Sequence, residues 1–480
     1  MVIALDVGTS SVRAAFYDGA GRAIVGRSHQ VQCTPTLTPD GGVEHDATRL
    51  LEGVGACLDA IHPNRPPEET RAVSVATFWH GLLGFDAGGR PITPVYMWAD
   101  TRSVGDAQLL RSALDDEALH RRTGCHLHSS YWPAKLRWLA RERPAEAQRV
   151  ARWGSFGEFL ELSLFGEATT SVSMASGTGL FDQETTRWDP EALAAAEIEE
   201  RHLFPIADRT EPRRGLRAPW AGRWPALRTA SWFPAIGDGA ASNIGSDCVD
   251  AARIALSVGT SAALRVVTRD PPAPPRGLWR YRVDRARAVV GGSTSEGGNV
   301  YAWTRQVLRL GRDDEIEAAL TALPADGHGL TVLPHLGGER SPGWRGGRRG
   351  LVSGLRLDTS AVEIVRAVLE AVALRLAMVY SLVAPCASAD HAVVASGGAL
   401  GRSRAWTQII ADALGRPVMR SAEPEATSRG AALLALEALG LVPDLVTARQ
   451  TLGETFVPDR AHHARYREAI ERQRRLDERV

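Results

Sequence analysis

The sequence predicts an α/β protein built from two similar domains. The run IALDVGTS at 3–10 returns as IALSVGTS at 254–261, with seven of its eight letters retained. Strand-like and helix-like stretches alternate after each copy, which is typical of α/β chains. At 480 residues the chain is long enough for two or three domains. We therefore expect an N-terminal domain over residues 1–245 and a C-terminal domain over residues 246–480.

Each copy of the repeat predicts a strand, a tight turn and a second strand. The first copy predicts strands at 2–7 and 11–17, and the second predicts strands at 254–258 and 262–267. The spacing of apolar residues predicts helices and short buried strands in the rest of each domain. The predicted helices cover 47–61, 361–383, 405–414, 430–439 and 460–478, and the predicted strands cover 72–76 and 392–395.

Two stretches carry no clear periodicity. Residues 205–235 are rich in tryptophan, proline and arginine and predict an interdomain passage or a long loop. Residues 270–276 are rich in proline and predict a surface loop.

Composition favours a cytoplasmic protein that binds neither nucleic acid nor a membrane. Acidic and basic residues balance at 56 each, so the chain has no net positive charge that would attract nucleic acid. No run reaches the roughly 18 uninterrupted apolar residues of a membrane span, and the N-terminus lacks a signal-peptide pattern. The five cysteines are scattered without a CxxC, which argues against disulfides and structural zinc.

Lysine usage excludes one way of holding nucleotide phosphates. Lys135 is the only lysine in the chain, so no Gly-Lys-Ser/Thr motif and no Walker A loop exists. Any site for nucleotide phosphates must therefore bind them in another way.

The repeated turn has the chemistry of such a site. Gly8 and Gly259 let the backbone approach a ligand closely, and the hydroxyl groups that follow add donors beside exposed N–H groups. These hydroxyl groups belong to Thr9, Ser10, Thr260 and Ser261. A concave set of donors binds phosphate oxygens without a lysine. The alternative is a pair of hairpin turns without any ligand.

The two copies differ at one position. Asp6 in the first copy would repel phosphate oxygens unless a hard cation such as Mg²⁺ lay between them. The second copy has Ser257 there. We therefore expect Asp6 to direct the metal and the second turn to contact phosphate directly.

Several motifs together resemble the FGGY family of carbohydrate kinases, within the actin, Hsp70 and sugar-kinase superfamily. They are the two Gly-Thr-Ser turns, Gly397-Gly398-Ala399, the Gly-Glu-Arg-Ser-Pro core of 333–342 and the Arg-Gly-Ala-Ala stretch of 427–432. The resemblance runs from Ile3 to about Leu441. It implies two ribonuclease-H-like domains of the actin-like ATPase type, with mixed sheets flanked by helices. ATP and a sugar would meet in the cleft between them.

The resemblance also implies a set of nucleotide contacts. These are Thr9, Ser10, Gly259, Thr260, Ser261, Gly298, Gly397, Gly398 and Arg402, with Asp6 as the metal residue and ATP and Mg²⁺ as cofactors. Glu296-Gly-Gly298-Asn299 resembles the segment beside the nucleotide. Several relatives have Asn to face adenine where this chain has Arg402, so the contacts to the base stay open.

Asp238 is the candidate general base. Transfer of a phosphoryl group to a sugar hydroxyl needs a carboxylate that accepts the hydroxyl proton. Asp238 lies between Gly237 and Gly239, which let sugar and phosphate approach, and the family's catalytic aspartate has this context. The alternative is an aspartate that only forms a turn.

The implied sugar contacts follow the strand at 72–76. They are Trp79, His80, Asp100, Arg102, Tyr131 and Asp238 itself. His80 is either a contact or a structural histidine, and Asp100 and Arg102 are either contacts or an ion pair that braces their loop. Lys135 lies in the same family stretch as Tyr131 and is either near the sugar or an anchor of its helix.

The resemblance is strongest to the gluconate kinase and xylulose kinase branch. It implies ATP-dependent phosphorylation of a sugar or sugar acid, with D-gluconate to 6-phosphogluconate as the first expectation. The alternatives within the family are xylulose kinase or another pentose, ketose or polyol kinase. A different class is a non-catalytic sugar- and ATP-binding regulator or an ATP-driven conformational switch. A homodimer is common among relatives.

Overall fold

Two mixed sheets with the same core of strands organise the chain. A computed structural model of the protein describes residues 1–61, 70–269, 271 and 273–480. Positions 270 and 272 of the predicted proline-rich loop lie outside these described residues.

The N-terminal half contains one main sheet and several short ladders around it. Its strands are β1 (Val2–Val7), β2 (Ser11–Tyr17), β3 (Ala23–Gln32), β4 (Thr36–Leu37), β5 (Val43–His45), β6 (Ala72–Thr77), β7 (Leu83–Phe85), β8 (Val95–Tyr96), β9 (Arg152–Gly154), β10 (Thr170–Ser171), β11 (Phe181–Asp182), β12 (Arg187–Trp188), β13 (Ile206–Ala207), β14 (Ser231–Trp232) and β15 (Ile236–Gly237). Its helices are α1 (Ala47–Ile61), α2 (Val104–Ala113), α3 (Asp116–Thr123), α4 (Trp132–Glu142), α5 (Pro144–Ala147), α6 (Phe156–Phe165), α7 (Val172–Ser176), α8 (Pro190–Ala195), α9 (Ala218–Arg223) and α10 (Asp238–Gly245).

The C-terminal half repeats this plan with longer helices. Its strands are β16 (Arg253–Val258), β17 (Ala262–Thr268), β18 (Trp279–Arg282), β19 (Ala288–Thr294), β20 (Thr331–Leu333), β21 (Leu351–Ser353), β22 (Ala392–Ser396), β23 (Val418–Arg420) and β24 (Thr455–Phe456). Its helices are α11 (Gly298–Val307), α12 (Asp313–Ala322), α13 (Ala361–Val383), α14 (Gly398–Arg402), α15 (Arg404–Leu414), α16 (Ala426–Ala438) and α17 (Arg460–Arg479).

The two main sheets share their topology. In the first, β1 runs antiparallel to β2 and parallel to β6, and β2 continues to β3. In the second, β16 runs antiparallel to β17 and parallel to β22, and β17 continues to β19. The equivalent strands β1 and β16 carry the two copies of the repeat. The predicted α/β duplication, with mixed sheets flanked by helices, is therefore confirmed.

Helix α13 lies at the centre of the hydrophobic core of the C-terminal half. Among the described residues, 361–386 form the one stretch long and apolar enough to span a bilayer, with a mean hydropathy of 1.8. In the apolar 18-residue window of this stretch, 78% of the residues are buried inside the protein, and the stretch as a whole contains the buried charged residues Arg366, Glu370 and Arg375. This is the environment of a core helix, where an apolar surface all round is expected.

Helices α10 and α16 cross at close range and join the two halves. A Cβ atom on Gly245 would lie 1.7 Å from the carbonyl oxygen of Ala426, and one on Gly430 would lie 1.8 Å from that of Ala241. Only glycine allows backbones to approach this closely. The buried guanidinium of Arg429 donates to the carbonyl of Gly245 at 2.7 Å. The Arg-Gly-Ala-Ala stretch is therefore a packing feature, and its helix begins at Ala426, earlier than the predicted 430.

One predicted loop differs in the structure. Of the two alternatives for residues 205–235, an interdomain passage or a long loop, the structure shows a long segment whose end, β14, pairs with β6 at the edge of the first main sheet. Arg209 near its start forms ion pairs with Asp284 and Glu437 of the second half. The helices and strands within it are two to six residues long, which is too short to produce a periodic pattern.

Candidate active site

Each Gly-Thr-Ser turn is closed by a backbone hydrogen bond from its glycine, although the acceptor lies at a different position in the two turns. The N–H of Gly8 donates to the carbonyl of Ser11, and the N–H of Gly259 donates to the carbonyl of Ser261, each at 2.9 Å. Ser10 and Thr260 are exposed at the tips of the turns. Each turn thus has an exposed hydroxyl-bearing residue at its tip, which is the type of donor that the sequence predicts for phosphate contacts.

The start of α11 supports the second turn. The N–H of Gly298 donates to the carbonyl of Gly259 at 2.7 Å, and the N–H of Asn299 donates to that of Thr260 at 3.2 Å. A Cβ atom on Gly297 would lie 2.5 Å from the carbonyl carbon of Ser261. The segment around Gly298 is therefore in direct contact with the turn, as expected of a nucleotide-binding segment.

The turn at Gly397 and Gly398 packs against the same strand end. Gly397 has a φ of +100°, and a Cβ atom there would lie 2.4 Å from the carbonyl oxygen of Val258. This position requires glycine because other residues rarely adopt that conformation. Gly398 begins α14, which ends at Arg402.

A cavity of about 280 Å³ opens beside these glycines. Gly298 and Arg402, two of the predicted nucleotide residues, both line it. The rest of its wall is mixed, with Tyr301, Asp313, Asp314, Ile316, Glu317, Leu320, Leu369, Ala399, Ser403 and Trp406. The cavity has apolar faces and polar edges, which suit a planar base next to the phosphate turns.

Asp6 and Asp238 lie close together between the two halves. Asp238 begins α10 and accepts a hydrogen bond from the N–H of Gly239 at 2.7 Å. Burial raises the pKa of Asp238, although the positive charge of Arg265 opposes this shift. Burial and the negative charge of Asp238 together raise the pKa of Asp6 to about 7. Two desolvated carboxylates of like charge therefore share one small space.

This donor set fits Mg²⁺. Oxygen ligands from one or two carboxylates, completed by water and phosphate, are the usual environment of that ion in proteins. Arg13, which pairs with Asp6 from the neighbouring strand β2, forms an ion pair with Glu425, so its charge is shared with another carboxylate. A cation bound at Asp6 would offset the negative charge of Asp238, which adds to the effect of burial on the pKa of Asp6.

Arg265 is a site residue that sequence reasoning missed. It lies in β17, is 8% exposed, and donates from Nε to Oδ1 of Asn243 at 3.3 Å. Its charge acts on Asp238, which follows β15 in the other half of the chain. The available signal was an arginine in the middle of an otherwise apolar strand, which seldom occurs without a buried partner.

Trp79 forms a wall beside Asp238. Its indole N–H donates to the carbonyl of Ser173 at 2.9 Å, and a Cβ atom on Gly237 would lie 1.9 Å from its ring. Its backbone N–H also bonds the carboxylate of Asp238. The glycine before Asp238 is therefore required by the tryptophan ring.

His80 has one nitrogen bound and one available. Its Nδ1 lies 2.5 Å from the carbonyl oxygen of Gly177, so Nδ1 must carry the proton. Burial and the nearby charge of Arg340 lower the pKa of His80 well below its usual value. A neutral ring that donates from Nδ1 leaves Nε2 as an acceptor, which can accept a hydrogen bond from a hydroxyl group.

Tyr131 belongs to an aromatic cluster that joins the two halves. Its hydroxyl lies 2.6 Å from that of Tyr281, and its ring centroid lies 5.1 Å from that of His80. Tyr281 stacks on Trp279 at 4.1 Å. The two residues of the C-terminal half were not predicted, because they follow a long loop and reach the site only through the tertiary fold.

Asp100 and Arg102 form the ion pair that the sequence allowed as an alternative. The guanidinium of Arg102 lies 2.5 Å from a carboxylate oxygen of Asp100 and 2.7 Å from one of Glu44. Asp100 also accepts from the N–H of Val43 at 3.2 Å. The pair braces its loop, and a contact from either residue to a sugar stays a prediction.

Lys135 anchors the backbone of the site. Its Nζ donates to the carbonyl of His80 at 2.8 Å and to that of Tyr96 at 3.2 Å. Burial lowers the pKa of this lysine to about 7. The helix-anchor alternative therefore holds, and the lysine fixes the strained His80, whose φ is +68°.

Comparison with known proteins matches nearly the whole chain to one family. Residues 1–245 match the N-terminal domain of the FGGY family of carbohydrate kinases, and residues 254–439 match the C-terminal domain of that family. The gluconokinase of Bacillus subtilis (strain 168) is 27% identical over 474 residues, which cover 95% of this chain and 91% of that protein.

Solved structures agree with this match. A ligand-bound xylulose kinase from Lactobacillus acidophilus superposes with a TM-score of 0.90 at 26% identity. A gluconate kinase from the same organism superposes with a TM-score of 0.89, also at 26% identity. Each comparison covers 99% of this chain and 97% of the other.

Proposed function

This chain belongs to the FGGY family of carbohydrate kinases, and we propose that it transfers the γ-phosphoryl group of ATP to D-gluconate, giving 6-phosphogluconate. The observation that carries the proposal is the pair Asp6 and Asp238. Burial raises the pKa of both carboxyl groups. Paired acids with perturbed pKa values in a cleft are typical of a catalytic site. The full-length similarity to a gluconokinase supports the choice of substrate.

Asp238 acts as the general base in this proposal. The C6 hydroxyl oxygen attacks the γ-phosphorus while its proton passes to the carboxylate of Asp238, and the bond from the γ-phosphorus to the bridging oxygen breaks, releasing ADP. The N–H groups of Gly239 and Trp79 hold that carboxylate in place. Arg265 offsets the negative charge of the base before transfer.

The two turns orient the triphosphate. Thr9 and Ser10 contact it from one half of the chain, and Gly259, Thr260 and Ser261 contact it from the other. Asp6 would hold Mg²⁺, which supplies charge neutralisation at the phosphate oxygens. Approach of the two halves excludes water, the competing acceptor of the phosphoryl group.

On the sugar side, three residues shape the site. Trp79 gives an apolar wall and His80 offers Nε2 to a hydroxyl, while Tyr131 closes the cluster beside them. The ion pair of Asp100 and Arg102 keeps the adjoining loop rigid.

Xylulose is the second candidate substrate, because the xylulose kinase from Lactobacillus acidophilus superposes as well as the gluconate kinase does. A coupled ADP-release assay with separate sugars distinguishes the two. Release that depends on gluconate supports the proposal, and release that depends only on xylulose replaces it with the second candidate. Hydrolysis of ATP that no sugar alters favours a conformational switch, and absence of any turnover favours a regulator.

A further inference from the structure

We propose that a cavity between the two halves of the chain binds the phosphate group of a small phosphate monoester. The cavity has a volume of about 300 Å³ and lies between α2 and the loop at 344–348. The described residues that line it include none of those assigned to ATP or to the sugar. The inference therefore concerns a second site and does not depend on the proposed substrate.

The wall of this cavity carries positive charge. Arg111 of α2 lines it from the N-terminal half, and Arg345 and Arg348 line it from the C-terminal half. Gln108 of α2 adds a neutral amide, and no acidic side chain is among the described residues of the wall. A concave surface with cationic groups of one sign attracts an anion.

Two carboxylates behind the cavity offset this charge only in part. Glu339 and Asp477 are buried, and both form ion pairs with Arg345. Asp477 also lies 3.7 Å from Arg348, and both acids pair with Arg375. Two negative charges are thus shared among three arginines, which leaves one positive charge in excess.

Arg111 adds a further positive charge. Its Nη2 donates to the carbonyl of Trp344 at 2.7 Å, which joins α2 to the loop of the other half. Throughout the described ranges no carboxylate lies within 4.0 Å of its guanidinium, and its buried Nε has no hydrogen-bond partner. Because buried donors normally find an acceptor, an unused donor beside a cavity indicates a ligand there.

His128 contributes a second donor without an acceptor. Its Nδ1 accepts from the N–H of Ser130 at 3.1 Å, so Nε2 carries the proton of the neutral ring. Burial keeps the ring neutral by lowering the pKa of His128 well below its usual value. In the described part of the chain this Nε2 has no partner in hydrogen-bonding geometry. A Cβ atom on Gly346 would lie 3.0 Å from it, and both residues line the cavity.

A phosphate group suits this wall better than a carboxylate does. The lining comes from three segments, namely α2, residues 127–129 and residues 344–348. A phosphate monoester presents three terminal oxygens, so it can accept from donors on three sides, and arginine pairs with such oxygens through two parallel bonds. The volume leaves room for a short carbon chain beside the phosphate.

A ligand in this cavity would contact both halves. Trp344, which lines it, also packs against Tyr131 of the aromatic cluster, with 5.8 Å between the ring centroids. A bound phosphate ester would therefore join α2 to the loop at 344–348 one ring away from the sugar site.

Calorimetry with inorganic phosphate and with glycerol 2-phosphate tests this inference. The wild type is first saturated with Mg²⁺ and a non-hydrolysable ATP analogue, so that the Gly-Thr-Ser turns are already occupied. We expect both compounds to bind, and the ester to bind more tightly. Arg111→Gln should raise both Kd values roughly 10- to 100-fold, the range for a lost charged hydrogen bond.

A matched pair of variants keeps the test valid if Arg111→Gln does not fold. Gln108 is exposed, and Gln108→Glu places a negative charge in the wall of the cavity, so both Kd values should rise about tenfold or more. Leu109→Glu adds the same charge at the next position, which is 62% exposed and outside the described lining. Because solvent screens an exposed charge, that variant should change Kd by less than about threefold.

The outcomes decide the inference without reference to kinase activity. Absence of phosphate binding to the wild type overturns it. Binding that Gln108→Glu and Leu109→Glu weaken equally, or not at all, places the phosphate elsewhere and also overturns it. Inorganic phosphate that binds as tightly as the ester contradicts a monoester as the ligand. ADP release with gluconate is measured separately, so its failure overturns the proposed function and leaves this result unchanged.

Discussion

Asp6 and Asp238 lie close together in the fold, although they are 232 positions apart in the chain. Burial is the main cause that raises the pKa of Asp6 to about 7, and the negative charge of Asp238 is the second. Asp6 is the penultimate residue of β1, the central strand of the first sheet, and Asp238 begins α10, the helix that crosses α16. In the proposed mechanism, their proximity would place the base beside the carboxylate that holds the metal. Two like charges in such a space are stable only with protons or a cation between them.

Asp238→Asn should abolish sugar phosphorylation without preventing ATP binding. Removal of a general base lowers kcat by roughly 10²- to 10⁴-fold, and the amide keeps the shape of the side chain. Turnover is measured by ADP release and binding by calorimetry. Asp86→Asn, a surface turn carboxylate, is the control and should be unaffected. A kcat near that of the wild type in Asp238→Asn would remove Asp238 from the role of base.

Asp6→Asn should stabilise the ligand-free protein at pH 8 and much less at pH 5. Because the pKa of Asp6 is raised in the folded state, its contribution to stability is present below its ordinary pKa and is lost as the pH rises through about 7. At about 1.4 kcal/mol for each pKa unit, the gain in unfolding free energy is about 4 kcal/mol at pH 8.

Urea unfolding at the two pH values measures this difference. The control is Asp18→Asn, since hydrogen bonds from Arg22 and Ala20 outweigh partial burial and lower the pKa of Asp18. That variant should show the opposite trend, losing stability as the pH rises above the ordinary pKa of aspartate. Equal stabilities of Asp6→Asn and the wild type at both pH values would contradict a desolvated, repelled Asp6.

Ala399→Leu should weaken ATP binding and leave gluconate binding unchanged. Ala399 lines the cavity of about 280 Å³ together with Tyr301 and Trp406. The three carbon atoms added by leucine would occupy the space that the proposal assigns to the adenine ring of ATP. Overfilling of a packed site costs about 1–3 kcal/mol, so the Kd for ATP should rise about tenfold. Ala194→Leu, at an exposed position of α8, is the control. An unchanged Kd for ATP would show that the adenine ring binds outside this cavity.

Gly430→Ala should destabilise the protein by about 2 kcal/mol and lower kcat. The added methyl group would meet the carbonyl of Ala241 at 1.8 Å, so α16 must move away from α10, the helix that carries Asp238. Gly105→Ala, which meets nothing within 4 Å, should be neutral in the same urea titration. A Gly430→Ala protein as stable as the wild type would show that the crossing is not tightly packed.

Local chemistry explains which parts were predictable. The Gly-Thr-Ser turns need only eight consecutive residues, so their form and their duplication are visible in the sequence. Asp238 is flanked by glycines that the ring of Trp79 requires, which again is a local pattern. The ion pair of Asp100 and Arg102 lies within three residues and was one of two stated alternatives.

The remaining site residues depend on tertiary structure. Arg265 and Tyr281 lie on neighbouring parts of the second sheet and meet the first half only after the domains come together.

The most direct measurement of the central claim is phosphorus NMR of the products formed from ATP, Mg²⁺ and D-gluconate. The account predicts ADP and an equal amount of a phosphomonoester on C6 of gluconate, and neither product with Asp238→Asn. Inorganic phosphate with unchanged gluconate, or a phosphoester that forms only with a neutral sugar, would contradict it.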